Sequence, residues 1–170
     1  MERVVKENTI RIHQMLNLMK GLYKTVEREW EEHAQKYGMT NAHLHVLWIL
    51  YLDDGIRLSD LAAKGLWNLS TTQDIVNRMD QRGLVKKEKD MQDGRVTRVY
   101  ITEEGKRLRS ETQKDCDEGY PYKILQAIDR LSEEDQTKLK ELIRHISQSV
   151  LDQDFMDYVN RSSNRLSKKK

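Results

Sequence analysis

The chain has 170 residues, enough to bury a core as one domain spanning residues 1–170, and its composition excludes a disordered or collagen-like protein. Its 30 basic and 28 acidic residues nearly balance, so the whole chain attracts a polyanion only weakly. Any nucleic-acid signal must therefore be local. Residues 58–109 hold the excess, with 11 basic against 8 acidic residues. The lone cysteine, Cys116, excludes an intrachain disulfide and a zinc site built on cysteines.

The sequence lacks the patterns of a membrane span and of a secretion signal. Its longest apolar run, Val46 to Leu52, is far shorter than the roughly 20 residues needed to cross a bilayer. The opening Met1-Glu2-Arg3 does not lead into a signal peptide. We therefore expect a cytoplasmic protein with no membrane contact.

Long helices are expected at both ends of the chain, because one proline and eight glycines leave few interruptions. Apolar residues recur at three- and four-residue steps over residues 5–37 and again over 132–159, where Ser132 begins the helix. A helix over 5–37 would reach about 50 Å, more than a domain of this size can cover. Both are therefore expected to be dimerisation helices. The basic tail, residues 160–170, is expected to be disordered.

Residues 40–102 have the pattern of a winged helix-turn-helix. Within them, residues 58–82 predict two short helices joined by a tight turn, which is a helix-turn-helix. Ser59 is expected to cap the first helix and Gly65 to end it, and Asn68 is a natural cap for the second.

The wing is expected over residues 84–102. Strand-like runs there lie on either side of Asp93-Gly94, a dipeptide typical of hairpin turns. Thr102 then caps a further helix, which Gly119-Tyr120-Pro121 is expected to interrupt. The predicted fold class is mainly α with a small β-hairpin wing (α+β).

The second helix of a helix-turn-helix presents side chains to base edges in the major groove. Gln73 and Asn77 suit bidentate contact to adenine, and Arg78 suits guanine or phosphate. Asp74 either accepts from cytosine, caps the helix locally or restrains Arg78. The predicted DNA-binding residues of this helix are Ser70, Thr71, Gln73, Asp74, Asn77 and Arg78.

Basic residues also gather on the expected hairpin. Arg95 follows the Asp93-Gly94 turn directly, where a wing tip enters a minor groove. Taken one at a time, each such residue also has an ordinary explanation as a solvated surface charge. The predicted DNA-binding residues of the wing are Lys87, Lys89, Arg95 and Arg98.

This order of parts resembles the MarR family of bacterial winged-helix regulators over residues 5–151. The matching stretches are Leu58-Ser59-Asp60-Leu61-Ala62, Leu69-Ser70-Thr71-Thr72, Asn77-Arg78-Met79, Arg82-Gly83-Leu84-Val85, Asp93-Gly94-Arg95 and Val99-Tyr100-Ile101-Thr102-Glu103-Glu104-Gly105. Three further stretches look similar to Hpr-type members, which repress protease production and sporulation genes in Bacillus-like bacteria. They are Leu22-Tyr23, Val46-Leu47-Trp48-Ile49 and Asp154-Phe155-Met156.

The resemblance implies a sequence-specific transcriptional regulator, a repressor more than an activator, that binds double-stranded DNA. It implies a homodimer made by the first and last helices and a pseudo-palindromic operator. Arg95 would be the wing-tip arginine. Asp74 departs from the basic or small residue often found there, so no known operator sequence transfers directly. The alternative is a winged helix used as a protein-interaction module.

Other candidate sites keep two interpretations each. The aromatic residues Trp30, Trp48, Trp67, Tyr23 and Tyr51 either pack in the core or line a pocket for a small-molecule effector. Cys116 is either an inert thiol or a redox switch. The sequence indicates neither a metal site nor a cofactor. It also lacks a phosphate-binding glycine loop, a nucleophile elbow and paired catalytic carboxylates, so we expect no enzyme activity.

Overall fold

The computed structural model describes residues 2–118 and 122–167. The predicted interruption at 119–121 lies outside these described residues. Helices and strands follow in the order α1 (Glu2–Gln35), α2 (Asn41–Leu52), β1 (Ile56–Arg57), α3 (Leu58–Gly65), α4 (Leu69–Gln81), β2 (Val85–Lys89), β3 (Thr97–Ile101), α5 (Glu103–Glu118), α6 (Lys123–Asp129), α7 (Glu133–Val150) and α8 (Gln153–Ser167). The predicted mainly α fold with a hairpin wing is confirmed.

The winged domain is built from α2 to β3, with α5 packed against α2. Its sheet is antiparallel in the order β1-β3-β2, with Val85 opposite Ile101 and Ile56 opposite Val99. The sheet and helices close over one apolar core. Its largest fully buried side chains include Leu47, Ile49, Leu50, Leu61, Val76, Met79, Val85 and Val99. This core fixes where α4 and the wing stand.

The predicted helix caps Asn68, Thr102 and Ser132 are confirmed, and Thr40 caps α2 in the same way, each by a side chain that accepts a backbone N–H three residues on. Thr40 accepts from His43 and Asn68 accepts from Thr71. Thr102 Oγ1 accepts from Gly105 N at 3.1 Å, and Ser132 accepts from Asp135. Local chemistry was sufficient to predict where these helices begin.

Of the two predicted ends of the first short helix, the Ser59 cap is wrong, whereas the helix does end at Gly65. Helix α3 begins at Leu58, one residue before Ser59, and has no side-chain cap. Gly65 is the last helical residue, and Leu66 takes the left-handed conformation that ends the helix, with φ of 56°. Gly65 is needed for space instead, because a Cβ there would lie 2.2 Å from the Trp67 ring.

The junction between the wing and α5 explains the Thr-x-x-Gly motif. Thr102 Oγ1 donates to Gly83 O at 2.6 Å and also caps α5. A Cβ on Gly105 would lie 2.2 Å from Leu84 O, so only glycine lets α5 pack against this backbone. The motif therefore locks the wing to the helix that follows it.

The C-terminal region differs from the expectation of one helix over 132–159 and a disordered tail over 160–170. The chain is extended at Leu151, which separates α7 from α8, and α8 continues to Ser167. Residues 168–170 lie outside the described residues. Helix α8 packs against α3 and buries Met156 and Tyr158, and this tertiary contact overrides the polar composition of the tail.

Helices α1 and α7 keep large apolar side chains in solvent. Leu16 is 61% exposed and Ile146 is 48% exposed. The exposed apolar set comprises Ile10, Ile12, Met15, Leu16, Leu18, Met19, Leu22, Tyr23 and Trp30 on α1, and Leu142, Ile143, Ile146 and Val150 on α7. We call these two helices the arm. Over the described part of the chain, no helix combines the length and apolar character that a bilayer crossing requires.

Candidate nucleic-acid interface

Helix α4 stands with one face in the core and the other in solvent. Thr72, Val76 and Met79 are fully buried. Thr72 Oγ1 donates to Asn68 O at 3.0 Å, which satisfies its hydroxyl inside the core. Because the inward residues recur at helical spacing, the opposite face of α4 must project outward.

The outward face of α4 carries polar side chains available to a ligand. Gln73, Asp74 and Arg78 are exposed, and within the described ranges their side chains make no hydrogen bond or ion pair. Asp74 therefore does not restrain Arg78. Ser70 Oγ donates to Asn68 Oδ1 at 2.9 Å and so supports the helix cap, whereas the exposed Thr71 contributes its backbone N–H to that cap.

A cleft of about 270 Å³ separates α4 from the wing. Lys87 crosses it: Nζ donates to Asn77 Oδ1 at 2.7 Å and lies 3.3 Å from Asp80 Oδ2. Asn77 Oδ1 has a second lone pair, so Asn77 can still present both amide atoms to adenine while Lys87 holds the side chain in place. Lys89 lines the same cleft, with Nζ 3.5 Å from Thr97 Oγ1.

The wing tip presents Arg95 almost completely to solvent, with 92% of its side chain exposed. Its Nε donates to Asp93 Oδ1 at 3.1 Å, and its backbone N–H donates to the same oxygen at 3.0 Å. The hydrogen bond from the Arg95 side chain lowers the pKa of Asp93 below its usual value. Asp93 thus orients the arginine outward while remaining charged.

Arg98 points toward the base of the wing. Its Nε forms an ion pair with Asp90, and its Nη1 donates to Gly55 O at 2.8 Å. The hydrogen bond from Arg98, followed by those from the Gln92 and Asp93 backbones, lowers the pKa of Asp90 to about 2. Arg98 is thereby engaged in holding the hairpin against the turn before β1.

Sequence reasoning missed the partners that hold these basic residues. Asp80 holds Lys87, and Asp90 together with Gly55 holds Arg98. For Asp90 the sequence did offer a signal, because an Asp at the start of a loop often accepts backbone N–H groups of the turn, as Asp90 does from Gln92 and Asp93. The contact with Gly55 spans 43 residues and has no local signal.

The five aromatic candidates for an effector pocket do not all line one pocket, although Trp48 and Tyr51 stack on the same Arg109 guanidinium. Trp30 and Trp48 line a cavity of about 320 Å³ with His45 and Cys116. Trp67 packs edge-on against His45. Tyr51 stacks on the Arg109 guanidinium, whose Cζ lies 3.7 Å from the ring centre, and Tyr23 is exposed. Among the residues that the structure describes, no three His, Cys, Asp or Glu side chains group to hold a metal ion.

Comparison with known proteins decides the family. The MarR family model matches residues 39–97. The regulator Hpr of Lysinibacillus sphaericus is 30% identical over 166 residues, covering 92% of this chain and 84% of that protein. The chain belongs to the MarR family. The predicted family is therefore confirmed, and the curated relatives are named as transcriptional regulators.

Other MarR relatives are matched over less of their length. Hpr of Shouchella clausii is 31% identical over 72% of this chain, which spans 62% of that protein. The DNA-binding transcriptional repressor ScoC of Bacillus subtilis is 33% identical over 59% of this chain, which spans 50% of that protein.

Solved structures of MarR regulators share the fold. A MarR-like regulator from Bacillus cereus superposes with a TM-score of 0.71 at 17% identity, covering 83% of this chain and 99% of that one. MepR of S. aureus, solved as a DNA complex, superposes with a TM-score of 0.69 at 20% identity, covering 79% and 96%.

Proposed function

We propose that this MarR protein is a sequence-specific DNA-binding transcriptional repressor that binds a pseudo-palindromic operator as a homodimer. The observation that carries the proposal is the outward face of α4, where Gln73, Asp74 and Arg78 are exposed and unengaged beside a wing tip that projects Arg95. These exposed donors and acceptors are hydrated in the free domain, and the base edges of the major groove offer them matching partners. We propose that it acts in the bacterial cytoplasm, on chromosomal DNA.

The residues divide by role. Gln73, Asn77 and Arg78 read base edges in the major groove, and Arg95 enters the adjacent minor groove. Asp74 accepts from cytosine N4 or excludes a phosphate from its position. Residues that hold phosphates fix register without reading sequence, and this set is Ser70, Thr71, Lys87 and Lys89. Arg98 contributes by holding the wing in place.

The homodimer is supported by the arm. Leu16 and Ile146 are among thirteen large apolar side chains that the described parts of α1 and α7 expose, a larger apolar surface than monomers usually leave in water. A second copy of the same arm is the simplest complementary surface, and it would relate the two winged domains by a two-fold axis. Two α4 helices would then contact half-sites about one DNA turn apart.

A small-molecule effector is a second part of the proposal, supported by the 320 Å³ cavity between α1, α2 and α8. Its wall is mostly apolar and aromatic, with His45 as a polar group, which is typical of pockets for small organic ligands. The fold neighbour PcaV of Streptomyces coelicolor was solved in complex with its natural ligand.

The deciding experiment is selection from a randomised duplex library by purified dimer at near-physiological salt. Base readout predicts enrichment of an inverted repeat with half-sites about 10 bp apart. If the dimer enriches no sequence, the repressor proposal in its ligand-free form is wrong, and the alternative of a protein-interaction module gains support.

A further inference from the structure

Helix α8 connects two parts of the molecule: the arm helix α7 and the winged domain. On the arm side, Arg144 Nη2 donates to Asn160 Oδ1 of α8 at 2.9 Å. On the other side, Arg165 Nη1 of α8 donates to Asp53 Oδ1, at the end of α2, at 2.8 Å. The helix therefore makes a polar contact with each part.

The Asp53 carboxylate joins three helices. Its second oxygen accepts from Lys64 Nζ of α3 at 2.7 Å, while the first accepts from Arg165. The Lys64 side chain is only 14% exposed, and its Nζ lies 5.4 Å from the centre of the Tyr158 ring of α8. We call Asp53, Lys64, Tyr158 and Arg165 the Asp53 junction.

The charge of Asp53 is maintained in this setting. Burial raises the pKa of the carboxyl, but the hydrogen bond and charge of Lys64 and the charge of Arg165 outweigh burial and lower the pKa below its usual value. The ion pairs are consequently present at neutral pH. Since both cations approach one carboxylate, the junction is specific in direction and not merely apolar packing.

Beneath the junction, α8 has an apolar base. Met156 is 5% exposed and Tyr158 is 9% exposed, and Tyr158 belongs to the same core cluster as the winged domain. Phe155 lines a groove with Ala63 and Leu66 of the helix-turn-helix. Apolar contact supplies affinity for α3, and the junction supplies orientation.

The position of α3 determines the position of α4, because the two helices pack directly against each other. In a two-fold dimer, the distance between the two α4 helices depends on how each winged domain is oriented against its own arm. We propose that the Asp53 junction is a positioning device that fixes this orientation and thereby sets the half-site spacing of the operator. The inference rests on the proposed function, because spacing matters only to a dimer that reads DNA.

Two variants test the inference in the full-length protein. Arg165→Ala and Asp53→Asn each remove one partner of the junction and leave α4 and the wing unchanged. Each protein is bound to a pool of duplexes that carry the selected half-sites with every spacer from short to long. The wild type should prefer one spacer by about tenfold over spacers one base pair longer or shorter, and both variants should reduce that preference to about threefold or less, because an unfixed orientation samples several neighbouring spacings.

Matched controls separate positioning from stability. Asp157→Asn changes another α8 carboxylate, which among the described residues accepts only from Gln153 of the same helix, at 2.8 Å, and should retain the wild-type preference. Arg165→Lys keeps a cation opposite Asp53 and should recover most of the preference. Amide hydrogen exchange over 153–167, measured without DNA, should rise in Arg165→Ala and not in Asp157→Asn.

The outcomes distinguish this inference from the function beneath it. A wild type with one preferred spacer and an Arg165→Ala variant with the same preference would overturn the positioning role alone. A wild type that enriches no paired half-sites would overturn the proposed function and the spacing inference with it. This holds whatever rate of amide hydrogen exchange is measured in α8.

Discussion

The winged domain and the arm are completed to different degrees. In the winged domain Leu47 and Val99 are fully buried, and the turns and caps around the wing are paired. In the arm, Leu16 is 61% exposed and Ile146 is 48% exposed. The winged domain of one chain, which we call the reading head, is therefore structurally complete. The arm, in contrast, needs a second surface to cover its exposed apolar side chains.

The largest effect is expected when a charge is placed on the apolar surface of the arm. Ile146→Glu should make the protein monomeric, because a carboxylate would be buried unpaired in the dimer contact. Loss of the second reading head should weaken operator binding by about 100-fold or more. Sedimentation or light scattering measures the mass, and fluorescence anisotropy measures the affinity.

The control for the arm variant is Gln148→Glu, which adds the same charge on an exposed position of α7 off the apolar stripe. It should leave both mass and affinity unchanged. Ile146→Glu should also retain a folded wing, visible in amide NMR. A dimer that survives Ile146→Glu with wild-type affinity would contradict the role assigned to the arm.

The second largest effect is expected when the close packing within the winged domain is disturbed. Gly105→Ala places a methyl group 2.2 Å from Leu84 O, so α5 must move from the wing. We expect a loss of about 1–3 kcal/mol in the free energy of unfolding, as for other overpacked positions. Gly94→Ala meets nothing within 4 Å and serves as the matched control in thermal unfolding. Equal Tm values for the two variants would contradict the close packing of α5 against the Leu84 backbone.

A third change sharpens the comparison by separating function from stability. Arg95→Ala removes a side chain that is 92% exposed, so its Tm should equal that of the wild type. Operator affinity should fall about tenfold or more, and the slope of log affinity against log salt should shrink by about 2, because the homodimer loses one Arg95 from each wing. Lys138→Ala, on α7, is the control for the loss of one charge. An unchanged salt slope in Arg95→Ala would favour the protein-interaction module.

The smallest effect concerns pH and three histidines, of which His33 and His43 are buried and His45 is half-buried. Burial chiefly lowers the pKa of His33, His43 and His45, so the folded protein binds fewer protons than the unfolded chain below pH 6.5. The free energy of unfolding should therefore fall as pH drops from 6.5, and level off below the folded-state pKa values. Urea unfolding at several pH values measures this, and His45→Gln should reduce the slope. A midpoint independent of pH between 7.5 and 5.0 would contradict the assigned burial.

The reading head could be predicted largely from the sequence. Caps such as Asn68 and Thr102, and the Asp93-Gly94-Arg95 tip, act over three residues or fewer, so local chemistry specifies them. What the sequence did not predict depends on distant contacts. Arg98 contacts Gly55 across 43 residues, and Arg165 contacts Asp53 across 112.

The same limit explains the errors at the C-terminus and in the turn of the helix-turn-helix. A continuous periodic pattern over 132–159 gave no sign that Leu151 is extended, because the break is stabilised by packing of α8 on α3. Likewise, Leu66 adopts a left-handed backbone that propensity assigns to Gly65. In both cases tertiary packing overrides the local preference.

The central claim is that the arm holds two reading heads at a fixed separation. The most direct test compares wild-type affinity for the selected inverted repeat with its affinity for the same duplex after about 5 bp are inserted between the half-sites. The insertion turns one half-site to the opposite face of the DNA. We predict binding weaker by about 100-fold or more. Equal affinity for the two duplexes would contradict the claim, because it would mean that each chain binds DNA alone.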